Sequence, residues 1–178
     1  MATKTLMTVE EFTPLLERRD VWYELVEGEV VTVSPTMPLH NLVRDHLLVL
    51  LRAFVVAQKL GTVFAEQAFQ LSRDTVRIPD ISFLSAGREF EMDKLPLGGP
   101  DLAIEVISPT NSSREMEQRV SDYFAAGTKR VWLIYPEHTE VYVHGQVGVI
   151  RRHGDELLED TELLPGFSVK VSTLFEQV

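Results

Sequence analysis

The chain has 178 residues, 44% hydrophobic and 25% charged, with a net charge of −10. That length suits one domain, residues 1–178, with a proper core. The absence of cysteine excludes disulfides, thiolate zinc sites and cysteine nucleophiles, and the acidic balance argues against broad, unassisted binding to nucleic acid, whose affinity comes largely from Lys and Arg at phosphates. A local basic groove, or a divalent cation bridging acid to phosphate, stays compatible with it.

No apolar run approaches the roughly 20 residues of a membrane span. The opening "MATKTLMTVEEF" lacks the charged start, apolar stretch and small-residue cleavage site of a signal peptide. A cytoplasmic protein with no membrane partner is expected.

In chain order, "TVEEFTPLLER" predicts a short helix over 8–18, with Thr8 and Glu11 as a capping box. "YELVEGEVVTVSP" predicts a hairpin turning near Glu27 and Gly28. Pro35 and Pro38 punctuate the chain before a long helix. There Leu39, Leu42, Val43, Leu47, Leu50, Leu51, Phe54 and Val55 recur at helical spacing up to about Lys59, with Gly61 as the stop. Three strands are predicted next, in "TVFAEQAFQL", "VRIPDISFL" and "DLAIEVIS". A Gly/Pro-rich segment, "SAGREFEMDKLPLGGP", separates the last two and is expected to be exposed and mobile.

"NSSREMEQRVSDYFAAG" places Met116, Val120, Tyr123 and Phe124 on one helical face. Ser112 and Glu115 form a second capping box and Gly127 ends the helix. "KRVWLIYP" predicts a buried strand, "TEVYVHGQVGVIRRHGDE" a hairpin around Gly145, Leu157 to Leu164 an acidic loop, and "FSVKVSTLFEQV" a strand and short helix. Helix, three strands, helix, strand, with hairpins at both ends, describes an α/β domain around a mixed sheet.

Two strands carry a lone carboxylate among apolar residues. A buried carboxylate costs several kcal/mol, on the order of the desolvation penalty of any unpaired polar group, unless it is paired. By period two, Asp80 shares a face with Val76, Ile78, Ser82 and Leu84, and Glu105 shares one with Ala103 and Ile107. If the strands are neighbours, both acids can face one cleft and hold Mg²⁺ or Mn²⁺ with carbonyls and waters. Asp80 capping a turn and Glu105 pairing with an arginine explains the same residues.

The ordered set "YELVEGE", "SPTMPLHNLV", "RIPDISFL", "PDLAIEVISPTNS", "DYFAAG" and "VWLIYP" resembles a bacterial family of putative restriction-endonuclease domains of unknown function. That family lies within the PD-(D/E)XK nuclease superfamily, and the resemblance runs from about Thr8 to Phe175. It implies a restriction-endonuclease-like core, a Mg²⁺- or Mn²⁺-dependent endonuclease activity on DNA or RNA, and two-fold pairing into a homodimer for duplex cutting.

By the same resemblance, Pro79-Asp80 matches the "PD" motif, Glu105 the "(D/E)" position, and Val106 the intervening residue whose carbonyl helps bind metal. Position 107, where the superfamily has lysine, is Ile107. The resembled family carries that lysine on the next helix, four residues before its tyrosine; with Tyr123 as the tyrosine, the position is Arg119. Arginine stays protonated and cannot be a general base. It can stabilise phosphoryl charge, or it can pair with Glu115 one helical turn away. Glu24 and His40 match a family acid and histidine, and are further candidates for the catalytic set. A relative that keeps the fold without turnover, serving as a nucleic-acid or protein interaction module, is the alternative. Arg77, Lys129 and Arg130 read as solvated charge, Ser108 and Asn111 as turn formers, and Trp22 and Trp132 as packing.

Overall fold

A computed structural model of the chain describes residues 6–18, 21–33 and 36–176. The expected chain break at Pro35 lies outside the described residues. Thr8 and Glu11 form the predicted capping box at the start of α1 (Val9–Phe12), and Pro14 follows in a 3-10 turn, Thr13–Glu17. β1 (Trp22–Val26) and β2 (Glu29–Val33) make the predicted hairpin. Its two turn residues, Glu27 and Gly28, have φ of 50° and 80°, the left-handed backbone that matches the twist of the flanking strands.

α2 (Pro38–Gln58) is the longest helix. Val43, Leu47, Leu51 and Val55 recur every fourth residue and are fully buried, so one stripe of the helix is its core face. The helix stops at Lys59, in left-handed backbone at φ 55°, and not at Gly61. Gly61 instead opens β3 (Gly61–Ala65), where its backbone closely approaches the Leu84 carbonyl.

The first two predicted strands are each broken in two. Glu66, at φ 52°, separates β3 from β4 (Phe69–Gln70). Pro79 and Asp80 separate β5 (Val76–Arg77) from β6 (Ile81–Ser85); a proline cannot donate to a ladder, so it belongs at such an interruption. β7 (Leu102–Val106) is buried at every position. α3 (Ser113–Ala125) starts at the predicted Ser112–Glu115 capping box and is followed by Gly127 at φ 93°. It leads to β8 (Arg130–Tyr135), which runs parallel to β7. β9 (Glu140–Gly145) and β10 (Gly148–His153) form the predicted hairpin. β11 (Leu157–Glu159) pairs with β12 (Ser168–Lys170). The expected loop from Leu157 therefore begins as a strand, with Leu158 buried between two exposed neighbours.

The result is a mixed α/β fold with two principal sheets. The larger has the order β10-β9-β8-β7-β6-β3 and the smaller β2-β1-β5-β4. α2 covers one face of the larger sheet through a core that includes Ile81, Phe83, Ile104 and Trp132. α3 lies against the other face, where Met116 and Tyr123 join Ala103, Val131 and Leu133. The segment between β6 and β7 is exposed over Glu91–Lys94, while its far end is tied to Gln70, whose N–H donates to the Pro96 carbonyl and whose carbonyl accepts the Gly98 N–H.

Three surface readings change. Trp132 is buried as expected, but Trp22 is 43% exposed at a hairpin edge. Lys129 pairs with Asp101, and Arg130 with Asp160 and Glu162, so neither is simply solvated. Among the described residues, no helix is long and apolar enough to cross a membrane.

A Cβ placed on Gly61 would lie 2.0 Å from the Leu84 carbonyl oxygen, whereas one on Gly148 would meet nothing within 4 Å. Gly61→Ala is expected to cost about 2–4 kcal/mol through forced backbone movement, and Gly148→Ala less than about 1 kcal/mol. Urea denaturation of the two variants against the parent measures the difference.

Candidate active site

Register brings the two lone carboxylates together. Ile81 of β6 pairs with Ile104 of β7 in an antiparallel ladder, so one further step sets Asp80 opposite Glu105. Directly opposed residues project to the same face. Ile81 and Ile104 point into the core under α2, which leaves the acids on the α3 side of the sheet. Glu105 is mid-strand, as expected. Asp80 is not: it occupies the bend that precedes β6.

Asp80 is held through one oxygen. Its Oδ2 accepts the Val106 backbone N–H at 2.7 Å and lies 3.2 Å from His40 Nε2. His40 comes from the first turn of α2 and is buried. Burial opposes a charge on this imidazole, but the hydrogen bond and negative charge of Asp80 outweigh it and raise His40 above its ordinary value. Sequence-predicted His40 therefore belongs to the site, as the partner of Asp80.

Glu105 is also held through one oxygen. Its Oε1 accepts from the Tyr123 hydroxyl at 2.7 Å and from Arg119 Nη1 at 3.1 Å. Both donors come from α3, one helical turn apart. Burial pushes the Glu105 carboxyl up to about 7; Arg119 pulls the other way, and the charges of Asp80 and Glu24 add to the rise. Tyr123 is fully buried beside that carboxyl and is held well above its usual range, so it stays a phenol and a donor.

Arg119 does not pair with Glu115, which is engaged by the Ser112 cap. Its guanidinium reaches across to β1, where Nη1 and Nη2 donate to Glu24 Oε1 and Oε2 at 2.9 and 2.8 Å. This fork geometry is the one arginine offers and lysine does not. Burial disfavours its charge, but Glu105 and Glu24 raise Arg119 well above its ordinary value, and it stays protonated.

Glu24 is in the cluster, yet both of its oxygens are taken. Besides Arg119, Oε1 accepts the Ile78 N–H at 2.9 Å and Oε2 accepts from Arg77 Nη1 at 3.0 Å. Arg77 is buried and donates also to Asp122 Oδ2 at 2.9 and 2.7 Å. It is a clamp between β1 and α3, not the solvated strand-end charge its sequence position suggests. The alternation of β5 gave no sign of this, because a two-residue strand has no period to read.

Sequence reasoning also missed Arg44 and Glu66. Arg44, one turn after His40, pairs with Glu66. Glu66 in turn donates its backbone N–H to the Asp80 carbonyl at 3.1 Å. Burial raises the Glu66 carboxyl, with Arg44 opposing and Asp80 reinforcing the shift. An interrupted strand at Glu66 was the signal, and it is visible only once the backbone is known.

Of these groups, Glu24, His40, Arg77, Asp80, Glu105 and Arg119 line a cleft of about 440 Å³ between the β1-β2 hairpin, the turn after β7 and the start of α3. The expected turn residues are there: Asn111 Oδ1 accepts the Ser108 N–H at 2.9 Å.

Residues 9–172 match the profile of a family, Uma2, described as putative restriction endonuclease. Among solved structures, the crystal structure of a putative nuclease belonging to DUF820 from Anabaena variabilis is similar, with a TM-score of 0.84 and 24% identity, covering 95% of this chain and 97% of that one. That likeness establishes the fold. No curated protein matches the chain.

Two predictions follow from the buried charges. Because the Glu105 carboxyl is raised, the folded state holds its proton more tightly than the unfolded state. The contribution of Glu105 to stability is then fully present at acid pH and is lost as pH rises through the window from about 4.5 to about 7. Glu105→Gln should be more stable than the parent by about 1–3 kcal/mol above that window and nearly equal below it, as read by thermal melts across pH. Glu24→Ala leaves two buried guanidiniums without their shared carboxylate and should cost about 3–5 kcal/mol in denaturant titration.

Proposed function

The chain belongs to the Uma2 family of putative restriction endonucleases, and on that premise we propose that it is a metal-dependent phosphodiesterase that cleaves nucleic acid, with DNA as the first substrate to test. The observation that carries this reading is the pairing of Asp80 with Glu105 across β6 and β7, each presenting an oxygen that no protein group occupies. Asp80 Oδ1 and Glu105 Oε2 have no hydrogen-bond partner among the described residues.

The donor set fits a hard divalent cation. It is all oxygen, which suits a hard cation. Among the described residues, no three His, Asp or Glu side chains are grouped to hold a metal ion. The proposed ligands are therefore Asp80, Glu105 and the Val106 carbonyl, with water completing the shell, as Mg²⁺ commonly requires. A cation bound there would neutralise phosphate charge and acidify a water molecule.

The remaining residues act on those ligands. His40 and the Val106 N–H fix Asp80 through Oδ2 and leave Oδ1 facing the cleft. Tyr123 and Arg119 fix Glu105 through Oε1 in the same way. Arg119 cannot accept a proton, so its part is electrostatic: it holds Glu105 and Glu24 in place and adds positive charge beside the phosphate. Glu24 positions Arg119 and does not serve as a ligand, since its oxygens are already shared among two arginines and a backbone amide.

One observation favours a second reading, a relative without turnover: three N–H donors of Arg119 are committed to carboxylates. Purified protein incubated with supercoiled plasmid and single-stranded DNA or RNA in Mn²⁺ or Mg²⁺ separates the two. Cleavage is expected in the parent, none in Asp80→Asn, and a reduction of about 10–100-fold in His40→Ala, which loosens a ligand without removing one. Mn²⁺ titration by calorimetry should show binding that Asp80→Asn loses. Cleavage that survives Asp80→Asn with Glu105→Gln would sink the site assignment, and Mn²⁺ binding without cleavage would favour the second reading.

A further inference from the structure

The cleft presents a charge problem to any polyanion. Glu24, Glu27, Asp80, Glu105 and Glu115 all line it. Of the cationic side chains that line it, His40 is bonded to Asp80, Arg77 to Glu24 and Asp122, and Arg119 to Glu24 and Glu105. Arg114 is the remaining one. It is exposed, and it makes no hydrogen bond or ion pair with any described residue. Its neighbour Glu115 is no substitute partner, because both the Ser112 N–H and the Ser112 hydroxyl donate to it.

Position sharpens the point. Arg114 lies near the start of α3 and lines the same cleft as Asp80, Glu105 and Arg119. A backbone whose scissile phosphate lies at Asp80 and Glu105 extends along that cleft, where Arg114 can meet a flanking phosphate. The guanidinium matches phosphate in bidentate geometry, and with no carboxylate to release first, it engages without breaking any contact of the fold.

We propose that Arg114 is the substrate-positioning residue of this cleft: it binds a backbone phosphate flanking the scissile one. The inference rests on the nuclease reading and goes beyond it, because it names the residue that lets an acidic protein admit nucleic acid. Arg114 touches the substrate away from the reacting atoms. It contributes affinity and register, and it carries no sequence information.

The test is fluorescence anisotropy of labelled single-stranded and duplex DNA and of matching RNA, in Ca²⁺, over a range of salt. Arg114→Gln is expected to weaken binding about five- to tenfold at low salt and to flatten the salt dependence by close to one phosphate contact. Its melting temperature and Mn²⁺ titration should match the parent, since the side chain holds nothing else. Arg152→Gln, on the far-edge strand β10, serves as the charge-matched control and should bind like the parent. Three results overturn the proposal. Parental affinity and salt slope in Arg114→Gln, while the parent binds, remove Arg114 and leave the nuclease reading standing. Equal losses in Arg152→Gln and Arg114→Gln reduce the effect to net charge. A parent that binds none of the probes removes the inference together with the reading beneath it.

Discussion

A chain of buried and part-buried ion pairs ties three parts of this molecule together. It runs Asp122–Arg77–Glu24–Arg119–Glu105. Glu24 and Arg77 belong to the smaller sheet, Glu105 to the larger, and Asp122 and Arg119 to the helix between β7 and β8. The hairpin, the central strand and α3 are thereby fixed to one another by charge as well as by packing. Buried charges earn little net stability over a well-packed apolar core, but losing one partner is costly, because the other is left uncompensated. Such a network specifies geometry more than it adds stability, which is what a site of several cooperating carboxylates requires.

The count within that chain is uneven. Three carboxylates, Asp122, Glu24 and Glu105, face two guanidiniums, Arg77 and Arg119. Glu24 takes both arginines, Asp122 takes Arg77 and Gln118 on its two oxygens, and Glu105 is bonded through one oxygen only. The shortfall in positive charge falls on Glu105, and Asp80 next to it makes it worse. Burial is the largest cause of a Glu105 carboxyl pushed up to about 7; Arg119 opposes it, and the charges of Asp80 and Glu24 add to it.

Much of this was legible beforehand, for identifiable reasons. Helix boundaries followed from capping boxes at Thr8 and Ser112, whose donors and acceptors are local in sequence. Asp80 and Glu105 stood out because each interrupts an apolar alternation. Their meeting was conditional on register, which one sequence does not display and which the Ile81–Ile104 pairing supplies. The long-range pairs were opaque for the same reason: Arg77 and Arg119 lie 53 and 95 residues from Glu24. Breaks at Glu66 and Asp80 fell inside runs that each read as one strand. Pro79 was the visible clue to the second break, and the first rested on a left-handed backbone that no residue type announces.

Arginine at position 119 is best understood from what that position touches. Lysine is a compact point charge that can lose its proton when buried; arginine is a planar fork that cannot. At this position the side chain must satisfy both oxygens of Glu24 and one of Glu105 at once. A lysine ammonium has three donors but no fixed fork, and beside two buried carboxylates it gives weaker definition to the angle between them. Arginine therefore exchanges a titratable group for a rigid electrostatic strut. Whatever chemistry the cleft performs, proton transfer in it does not pass through residue 119. What residue 119 determines is where Glu105 points and how much negative charge remains on it.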